Sequence, residues 1–434
     1  NSDALAALRG FARSKLHASV VLSAGVNARL FSYLNAFPDF LPTPELSLRK
    51  GIILKVSDFR SAQTQGRMLA RKGLWVSEFR IESGLNCGGH AFATQGHLLG
   101  PVIQEFREHQ KALAGELFAH TRQALVERGL QIPEDTAPFP QRLTVQGGLS
   151  LHWEHDFLTR IWGLDATGWG TPFLLVPDAT TVDAQTRREL CKATAEDIIL
   201  SDASPLNVPF QNLRTSASEE ARRTRIAAGT PGAPCIKGYL KSNTEFGPTP
   251  LCTASREYQI RKIREILANH PEGDERQALV HKVTAKACIC HELGGSSLQE
   301  HAPSLPAVPT AICPGPVLQF FSKTMHLKDM VDHIYGRSHQ TNRLSNPGTF
   351  IMELRLHIDE LYRRIREKHS SDPLSDKELG ALAQQLRKGL AFYRNMSAQL
   401  SHLEQQIRDT FQTELDALGH KLDLILNNPS PVWG

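Results

Sequence analysis

Several features that would place a protein in a membrane or on nucleic acid are missing from this 434-residue sequence. No uninterrupted apolar run approaches the roughly 20 residues that a membrane-spanning helix needs. The first residues, Asn1 to Ala4, lack the basic and apolar segments of a signal peptide. The net charge is only +4, which does not indicate a nucleic-acid partner. We therefore expect a cytoplasmic protein that binds neither membranes nor nucleic acid.

The cysteine pattern also lacks two common features. Seven cysteines are an odd number, and most of them lie in the later half of the chain, which favours reduced thiols or metal ligands over a disulfide framework. No C-x-x-C pair is present, so a tetrahedral zinc ribbon is disfavoured. With 41% hydrophobic and 22% charged residues, the composition is ordinary for a globular protein, and the length predicts two or three structural units.

Strand and helix patterns alternate over the first part of the chain. Apolar runs predict strands at 18–24, 51–57 and 74–83, and amphipathic patterns predict helices at 61–72 and 98–129. This alternation has the spacing of parallel βα units. The sequence therefore predicts an α/β fold with TIM-barrel-like parallel βα units.

The predicted strand at 74–83 runs into Gly88, Gly89 and His90. Because glycine lacks a Cβ, this order of residues predicts a loop that brings backbone close to a flat ligand and holds an imidazole above it. We expect His90 to act as a general acid or base, since a neutral imidazole exchanges protons at physiological pH. Lys55, in the strand at 51–57, is a further candidate for contact with the ligand.

Two later strands also end in glycines. The strand that begins at Arg142 ends at Gly147 and Gly148 and opens a predicted helix, and the next strand ends near Gly170 and Thr171. Backbone N–H groups at a helix start bind phosphate, because the unpaired donors and the helix dipole point the same way. Two successive loops of this kind predict a phosphate site at the mouth of a barrel.

These motifs resemble those of the nitronate monooxygenases, or 2-nitropropane dioxygenases, and of their flavin enoyl-reductase relatives. The similarity covers about residues 18–214 and lies in three runs, Glu82-Ser-Gly-Leu-Asn-Cys-Gly-Gly-His90, Val145-Gln-Gly-Gly-Leu149 and Trp169-Gly-Thr-Pro-Phe-Leu-Leu-Val-Pro-Asp178. The resemblance implies a (β/α)8 barrel that binds FMN, with a substrate-facing base at His90. The residues expected to contact FMN are Gly88, Gly89, Gly147, Gly148, Gly170, Thr171 and Lys55.

The sequence departs from this family in two ways. Only five strands match, and the family's first three have no counterpart ahead of Asn1. We expect the barrel to be truncated, or to be completed by a partner or by a later segment. Cys87 stands where the family commonly carries a small or acidic residue, which leaves the substrate class open.

From residue 219 the composition changes, and cysteines follow that can converge from separate loops on a soft metal centre. The expected ligands are Cys235, Cys252, Cys288, Cys290 and Cys313. A common cluster takes four, so one should be a bystander, while Cys288 and Cys290 should share a face of a strand and bind together. Cys313 precedes a proline, as at ferredoxin-type sites. A 4Fe–4S cluster is favoured, with zinc or metal-free thiols as alternatives, and Cys191 is expected in the core.

We thus predict three regions, an FMN domain at 1–218, a cysteine-rich module at 219–325 and a helical region at 326–434. The last contains two long amphipathic helices, expected to form a hairpin that docks on the barrel or on a second subunit. The predicted function is an FMN-dependent oxidoreductase of a small molecule, with the cluster passing electrons to an external carrier. The alternative is a scaffold protein with a degenerate barrel and a zinc- or thiol-stabilised module.

Overall fold

A five-stranded sheet, in which all neighbours are parallel and follow chain order, forms the centre of the protein. It is seen in a computed structural model that describes residues 2–43, 47–91, 96–302, 304–341, 346–367 and 376–427. The strands are β1 (Ser19–Leu22), β2 (Gly51–Val56), β3 (Val76–Glu82), β4 (Arg142–Gln146) and β5 (Ala166–Gly168). The predicted α/β class with parallel strands is confirmed.

The two faces of this sheet differ in polarity. Phe79 of β3 points to the apolar face, where it is almost fully buried. On the opposite face Lys55 of β2 lies beside Arg80 of β3, and Glu82 lies beside Gln146 of β4. Because side chains alternate along a strand, β3 places Arg80 and Glu82 together on this polar face.

Six helices accompany the sheet, and α3 and α4 pack against its apolar face. They are α1 (Asp3–Arg13), α2 (Ala28–Leu34), α3 (Phe59–Ala70), α4 (Leu99–Val126), α5 (His152–Asp156) and α6 (Ala184–Lys192). Helix α3 has a local cap, because Asp58 Oδ1 accepts the N–H of Ser61 at 2.7 Å. Helix α4 has no such local cap, and the N–H of Leu99 donates to the remote carboxylate of Glu353 at 2.6 Å.

The middle of the chain adds a two-stranded antiparallel sheet and six short helices. The strands are β6 (Ile198–Ser201) and β7 (Phe210–Leu213), and the helices are α7 (Ala217–Ala227), α8 (Arg256–Asn269), α9 (Asp274–Thr284), α10 (Ile289–Glu292), α11 (Gly295–His301) and α12 (Leu327–Ile334). Phe210 forms an isolated antiparallel bridge with His90. The hairpin is therefore tied directly to the loop that follows β3.

The described C-terminal residues form three helices, and the predicted two-helix hairpin is wrong in this respect. The helices are α13 (Thr349–Glu367), α14 (Asp376–Ser397) and α15 (Gln405–Asn427). A 3-10 turn at Ala398–Leu400 separates α14 from α15, which then pack against each other. The sequence does not reveal this break, because Leu400 in the turn is as deeply buried as the core residues of α14 and continues their apolar pattern.

One hydrophobic core joins the sheet to the C-terminal helices. It includes Phe79 of β3, Phe106 of α4, Phe350 and Leu354 of α13 and Tyr393 of α14, each with at most 1% of its surface exposed. The helical region is therefore packed into the same unit as the sheet. Among the described residues, no helix is long and apolar enough to cross a membrane.

Leu354→Ala is expected to destabilise the sheet and the C-terminal helices together. Leu354 is fully buried, and truncation of such a leucine costs about 2–5 kcal/mol. Urea unfolding followed by tryptophan fluorescence and by far-UV circular dichroism should give coincident transitions that shift equally. Leu305→Ala is the control, because Leu305 is 55% exposed, and it should change stability by less than about 0.5 kcal/mol. Separate transitions for the two probes would contradict a shared core.

Candidate functional site

A cavity of about 320 Å³ lies at the carboxyl ends of β3, β4 and β5. This volume is at the lower end of the ~300–1,000 Å³ that small-molecule sites commonly have. Most of its wall residues belong to the three loops that follow these strands. The wall residues are Arg80, Glu82, Asn86, Cys87, Gly88, Gln146, Gly147, Gly148, Leu149, Gly168, Trp169, Gly170, Thr171 and Val317.

The structure brings most of the predicted glycine-loop residues into this wall. Those that line the cavity are Gly88, Gly147, Gly148, Gly170 and Thr171. Three predicted contacts, Gly89, Lys55 and His90, are not among the residues of this wall.

Sequence reasoning missed two residues of the wall, Arg80 and Val317. A usable signal existed for Arg80, because residues two apart on a strand share a face and Glu82 begins the glycine motif quoted above. Val317 had no such signal, since it comes from a distant segment that reaches the cavity only through the fold.

The loop after β4, which we call the first glycine loop, is held by contacts within the protein, and the loop after β5 is the second. Gly147 and Gly148 have φ values of +106° and +79°, in the region that favours glycine. A Cβ on Gly148 would lie 1.8 Å from Asn86 Nδ2, and one on Gly147 would lie 2.5 Å from Cys87 Sγ. Gly170 in the second loop differs, because a Cβ there would meet no atom within 4 Å. Of the loops after β4 and β5, only the second has open space beside a glycine.

The loops after β4 and β5 contribute wall residues whose backbone donors are unpaired within the described part of the chain. The N–H groups of Gly148, Leu149, Trp169 and Gly170 donate to no acceptor among the described residues. Unpaired N–H groups that surround one concave site form an anion-binding arrangement. Arg80 adds a positive charge to the wall, although its guanidinium also donates to a neighbouring carboxylate on β3.

Two backbone N–H groups just before the helix that follows the β4 loop are already bonded within the protein. Helix α5 begins at His152, and the N–H groups of Ser150 and Leu151 just before it both donate to Glu154 Oε2 at 2.8 Å. These two N–H groups are therefore not available to a phosphate, and the phosphate site expected at this helix start stays a prediction.

A fixed carboxylate lies at the floor of the cavity. Glu82 forms an ion pair with Lys55, with 3.1 Å between Nζ and Oε2, and its Oε1 accepts the side-chain amide of Gln146 at 2.7 Å. The Cys87 thiol interacts with the same carboxylate. Burial, reinforced by the charge of Glu82, raises the pKa of Cys87 well above its ordinary value, so this thiol is neutral.

His90 is directed toward the β6–β7 hairpin. Its Nε2 forms a 2.7 Å hydrogen bond with Ser204 Oγ, and its ring packs edge-on against Phe210 at 5.2 Å between centroids. The backbone beside it also pairs with β7, because Gln211 donates its N–H to the carbonyl of Gly89 at 2.8 Å. Burial lowers the pKa of His90, so the ring is neutral at physiological pH.

A buried carboxylate of α13 joins the loop after β3 to the start of α4. Glu353 accepts the hydroxyl of Ser83 at 2.5 Å and the N–H of Leu99 at 2.6 Å. Tyr393 of α14 donates to the same carboxylate at 3.4 Å. Burial raises the pKa of Glu353 to about 7 even though these hydrogen bonds act in the opposite direction.

The first residues of α13 contact the loop that follows β3 and the loop that follows β4. Thr349 Oγ1 donates to the carbonyl of Gly147 at 3.1 Å and accepts Asn86 Nδ2 at 3.0 Å. The N–H of Thr349 donates to Glu154, and burial raises the pKa of this carboxyl to about 7. The C-terminal region thus forms the support beneath the cavity.

Four of the five predicted ligand thiols lie together. The thiol of Cys252 interacts with that of Cys235, and the thiol of Cys288 interacts with that of Cys290. Further interactions connect the two pairs. All seven cysteines are free thiols. In the part of the chain that the structure describes, no three His, Cys, Asp or Glu side chains stand ready as a metal-ligand group.

Cys313 lies apart from these four thiols. Its buried side chain receives the N–H of Gly89. The strand predicted for Cys288 and Cys290 is wrong, because Cys288 is the N-cap of α10 and Cys290 lies within that helix. Their thiols still interact, as expected, because Cys288 precedes the helix and has non-helical backbone angles. Cys191 is half-buried beside an apolar cluster.

A comparison with protein-family models finds no match, and a comparison with curated proteins finds none either. The resemblance to nitronate monooxygenases therefore rests on the quoted motifs and on their order along the chain. What the site does has to be argued from its own geometry.

Glu353→Gln is expected to weaken the pH dependence of stability. The pKa of Glu353 rises from 4.5 to about 7 on folding, so the folded state holds an extra proton between these values. The contribution of Glu353 to the free energy of unfolding therefore falls, by up to about 3 kcal/mol, as the pH rises through this window. Glutamine cannot ionise, so urea unfolding at about pH 5 and pH 8 should show a smaller difference in the variant than in the wild type.

The matched control is Glu414→Gln, whose carboxylate forms a partly exposed ion pair with Arg355. This change should leave the difference between the two pH values unaltered. An unaltered difference in Glu353→Gln as well would show that this buried carboxyl does not titrate as described.

Proposed function

We propose that the protein is an FMN-dependent oxidoreductase that acts on a small molecule and resembles the nitronate monooxygenases. The observation that supports this proposal is the cavity itself, which lies at the carboxyl ends of three adjacent parallel strands. In α/β folds this edge is where ligands bind. In this proposal the five strands belong to a TIM-barrel-like arrangement whose mouth holds the flavin.

The residues of the cavity fit the phosphate of FMN. Unpaired N–H groups at Gly148, Leu149, Trp169 and Gly170 supply donors, and the Arg80 guanidinium supplies positive charge. A phosphate accepts several such bonds at once, and bonds to a charged acceptor are stronger than neutral ones. The open space beside Gly170 leaves room for a ligand at this backbone.

One buried acceptor beside the cavity has no partner in the part of the chain that the structure describes. Asn86 is fully buried, and its Oδ1 has no donor among the described residues. A buried acceptor without a partner costs free energy, and because this atom has almost no exposed surface, we do not count it among the groups that would hold the flavin. The Nδ2 of the same side chain is held by Thr349, so Asn86 is fixed in orientation.

When bound, FMN supplies hydride or electron exchange with a small-molecule substrate. Glu82 and Cys87 line the cavity, and we assign proton transfer to the Glu82 carboxylate, which can accept a proton from the substrate, while the neutral Cys87 thiol donates a hydrogen bond to it. Lys55 holds Glu82 in place through their ion pair. His90 holds the loop of Gly89 against the β6–β7 hairpin, and we assign it a positioning role in place of the direct acid–base role expected from the sequence.

A scaffold function remains the second candidate, and one observation favours it. Gly147 and Gly148 are needed for the packing of the loop against Asn86 and Cys87, so their presence does not by itself call for a ligand. The unpaired donors and the open space at Gly170 favour the enzyme over the scaffold. A flavin absorption spectrum in the purified protein supports the enzyme, whereas a colourless protein that takes up no FMN supports the scaffold.

Gly170→Val is expected to remove FMN binding while the fold survives. The added side chain meets no protein atom within 4 Å, and it occupies the space beside the proposed phosphate. FMN affinity, measured by quenching of flavin fluorescence, should fall by at least about 30-fold, or about 2 kcal/mol. Thermal unfolding of the apoprotein should be unchanged.

Two further valine variants serve as controls. Gly25→Val adds the same side chain at an exposed position with no atom within 4 Å, and it should change neither binding nor stability. Gly148→Val should destabilise the apoprotein itself, because the new Cβ would overlap Asn86 at a positive φ. Wild-type FMN affinity in Gly170→Val would refute the placement of the phosphate.

The charges at the cavity floor should shift the reduction potential of bound FMN in opposite directions. Glu82→Gln removes a negative charge and should raise the potential, because the reduced flavin carries more negative charge than the oxidised one. Lys55→Met removes a positive charge and should lower it. Anaerobic titration of both holoproteins against a reference dye measures the two shifts. Shifts of the same sign, or none, would place the flavin ring away from this ion pair.

A further inference from the structure

Three separate segments meet at the four thiols of the middle region. The segments at 232–241 and 251–256 are joined by two backbone bonds, in which Ala233 donates to the carbonyl of Ala254 at 3.1 Å and accepts the N–H of Arg256 at 3.0 Å. Gly232 is required at this junction, because a Cβ there would lie 2.6 Å from the backbone nitrogen of Arg256. The first two segments are therefore locked side by side, with Cys235 on one and Cys252 on the other.

The third segment is the start of α10, which brings Cys288 and Cys290 to the same place. Cys288 Sγ lies 4.0 Å from the carbonyl oxygen of Pro234, the residue before Cys235. The backbone of the same segment is fixed from its other side, because Ala287 donates its N–H to the carbonyl of Ala203 at 2.9 Å. The thiols of all four residues interact with one another across the three segments.

Backbone donors surround the sulfur atoms. The N–H of Ala254 interacts with the thiol of Cys252 two residues earlier, and the N–H of Tyr239 interacts with the thiol of Cys290. Gly238, with a φ of +68°, allows the turn that brings Tyr239 to this position. Hydrogen bonds from backbone N–H groups to sulfur are a regular feature around thiolate ligands, because they stabilise the charge that the sulfurs carry when a metal is bound.

From this arrangement we infer that Cys235, Cys252, Cys288 and Cys290 form a four-thiolate site for a thiophilic metal centre, and that Cys313 is not a ligand. Ile289 lies between the two thiols of α10 and packs in an apolar cluster against which Cys313 also packs. Cys313 thus lies with this apolar cluster, next to the flavin cavity. Four soft sulfur donors from three loops are a donor set for iron in a cluster or for a single zinc ion.

The two candidate metal centres, a single ion and a four-iron cluster, differ in size and in use. A single tetrahedral ion with metal–sulfur bonds of about 2.3 Å draws the sulfurs to about 4 Å from one another, whereas a four-iron cluster holds its cysteine sulfurs farther apart, because each one binds a different iron. A cluster would let single electrons pass between the flavin and an external carrier, and this use rests on the proposed function. The metal site itself does not depend on the flavin.

The test is to measure the metal content of the full-length chain and of single Cys→Ser variants. The protein is reconstituted anaerobically with ferrous iron and sulfide, or with zinc alone, and its iron, sulfide and zinc are then quantified. Cys235→Ser, Cys252→Ser, Cys288→Ser and Cys290→Ser should each lose most of the bound metal. Cys313→Ser and Cys191→Ser should retain it at the wild-type level.

Each outcome of these metal measurements is decisive for the site. About four irons and four sulfides per chain identify a cluster, whereas one zinc per chain identifies a single ion. Either result supports the four-thiolate site. A wild-type protein that retains neither metal overturns it. Loss of metal in Cys313→Ser together with retention in one of the other four variants overturns the assigned ligand set.

A measurement on the wild-type protein covers the case in which a variant does not fold. Native alkylation followed by peptide mass mapping should show that metal protects the same four thiols from modification and that a chelator abolishes this protection. Equal protection of these thiols with and without metal would refute the site. Because the readouts are metal content and thiol protection, absence of FMN would leave this result unaffected.

Discussion

The structure depends on the docking of the first turn of α13 beneath the loops at the carboxyl ends of β3 and β4. Glu353 and Thr349 supply this contact, the first through Ser83 and Leu99 and the second through Asn86 and the Gly147 carbonyl. A buried carboxylate without such donors would be costly, so these bonds specify one position for the helix. That position also begins α4, which has no local N-cap of its own.

This docking explains the different roles of the two glycine loops. The loop after β4 is pressed between Asn86 and Thr349, so Gly148 has no room for a side chain even without a ligand. The loop after β5 is not covered in this way at Gly170, and its backbone is left open to the cavity. The loop after β4 is thus held by the protein, and the loop after β5 is available to a ligand.

Much of the sheet could be predicted from the sequence, because each strand is a short apolar or alternating run that ends in glycine or polar residues. The helices α3 and α4 were also predicted near their observed bounds. The break between α14 and α15 was missed, since burial of Leu400 continues the apolar pattern through the turn. Local periodicity reports which residues are buried, and it does not report where the chain reverses.

The site was predictable only where its residues are close in sequence. The glycine motifs identified the loops after β3, β4 and β5, which line the cavity. The orientation of His90 was not predictable, because it is set by Ser204 and Phe210 more than a hundred residues later. The link between Ser83 and Glu353 spans 270 residues and has no local signal. Convergence of four thiols was expected, but which cysteine stands apart depended on the fold.

The central claim is that the backbone of the two glycine loops binds a phosphate and so selects FMN. Its most direct test is to titrate the apoprotein with FMN and, in parallel, with riboflavin, which has the same ring system but no phosphate. Fluorescence quenching should show FMN binding with one site per chain and at least about 100-fold more tightly than riboflavin, because several charge-assisted bonds are lost with the phosphate. Equal affinity for the two compounds, or no binding of FMN, would contradict the claim.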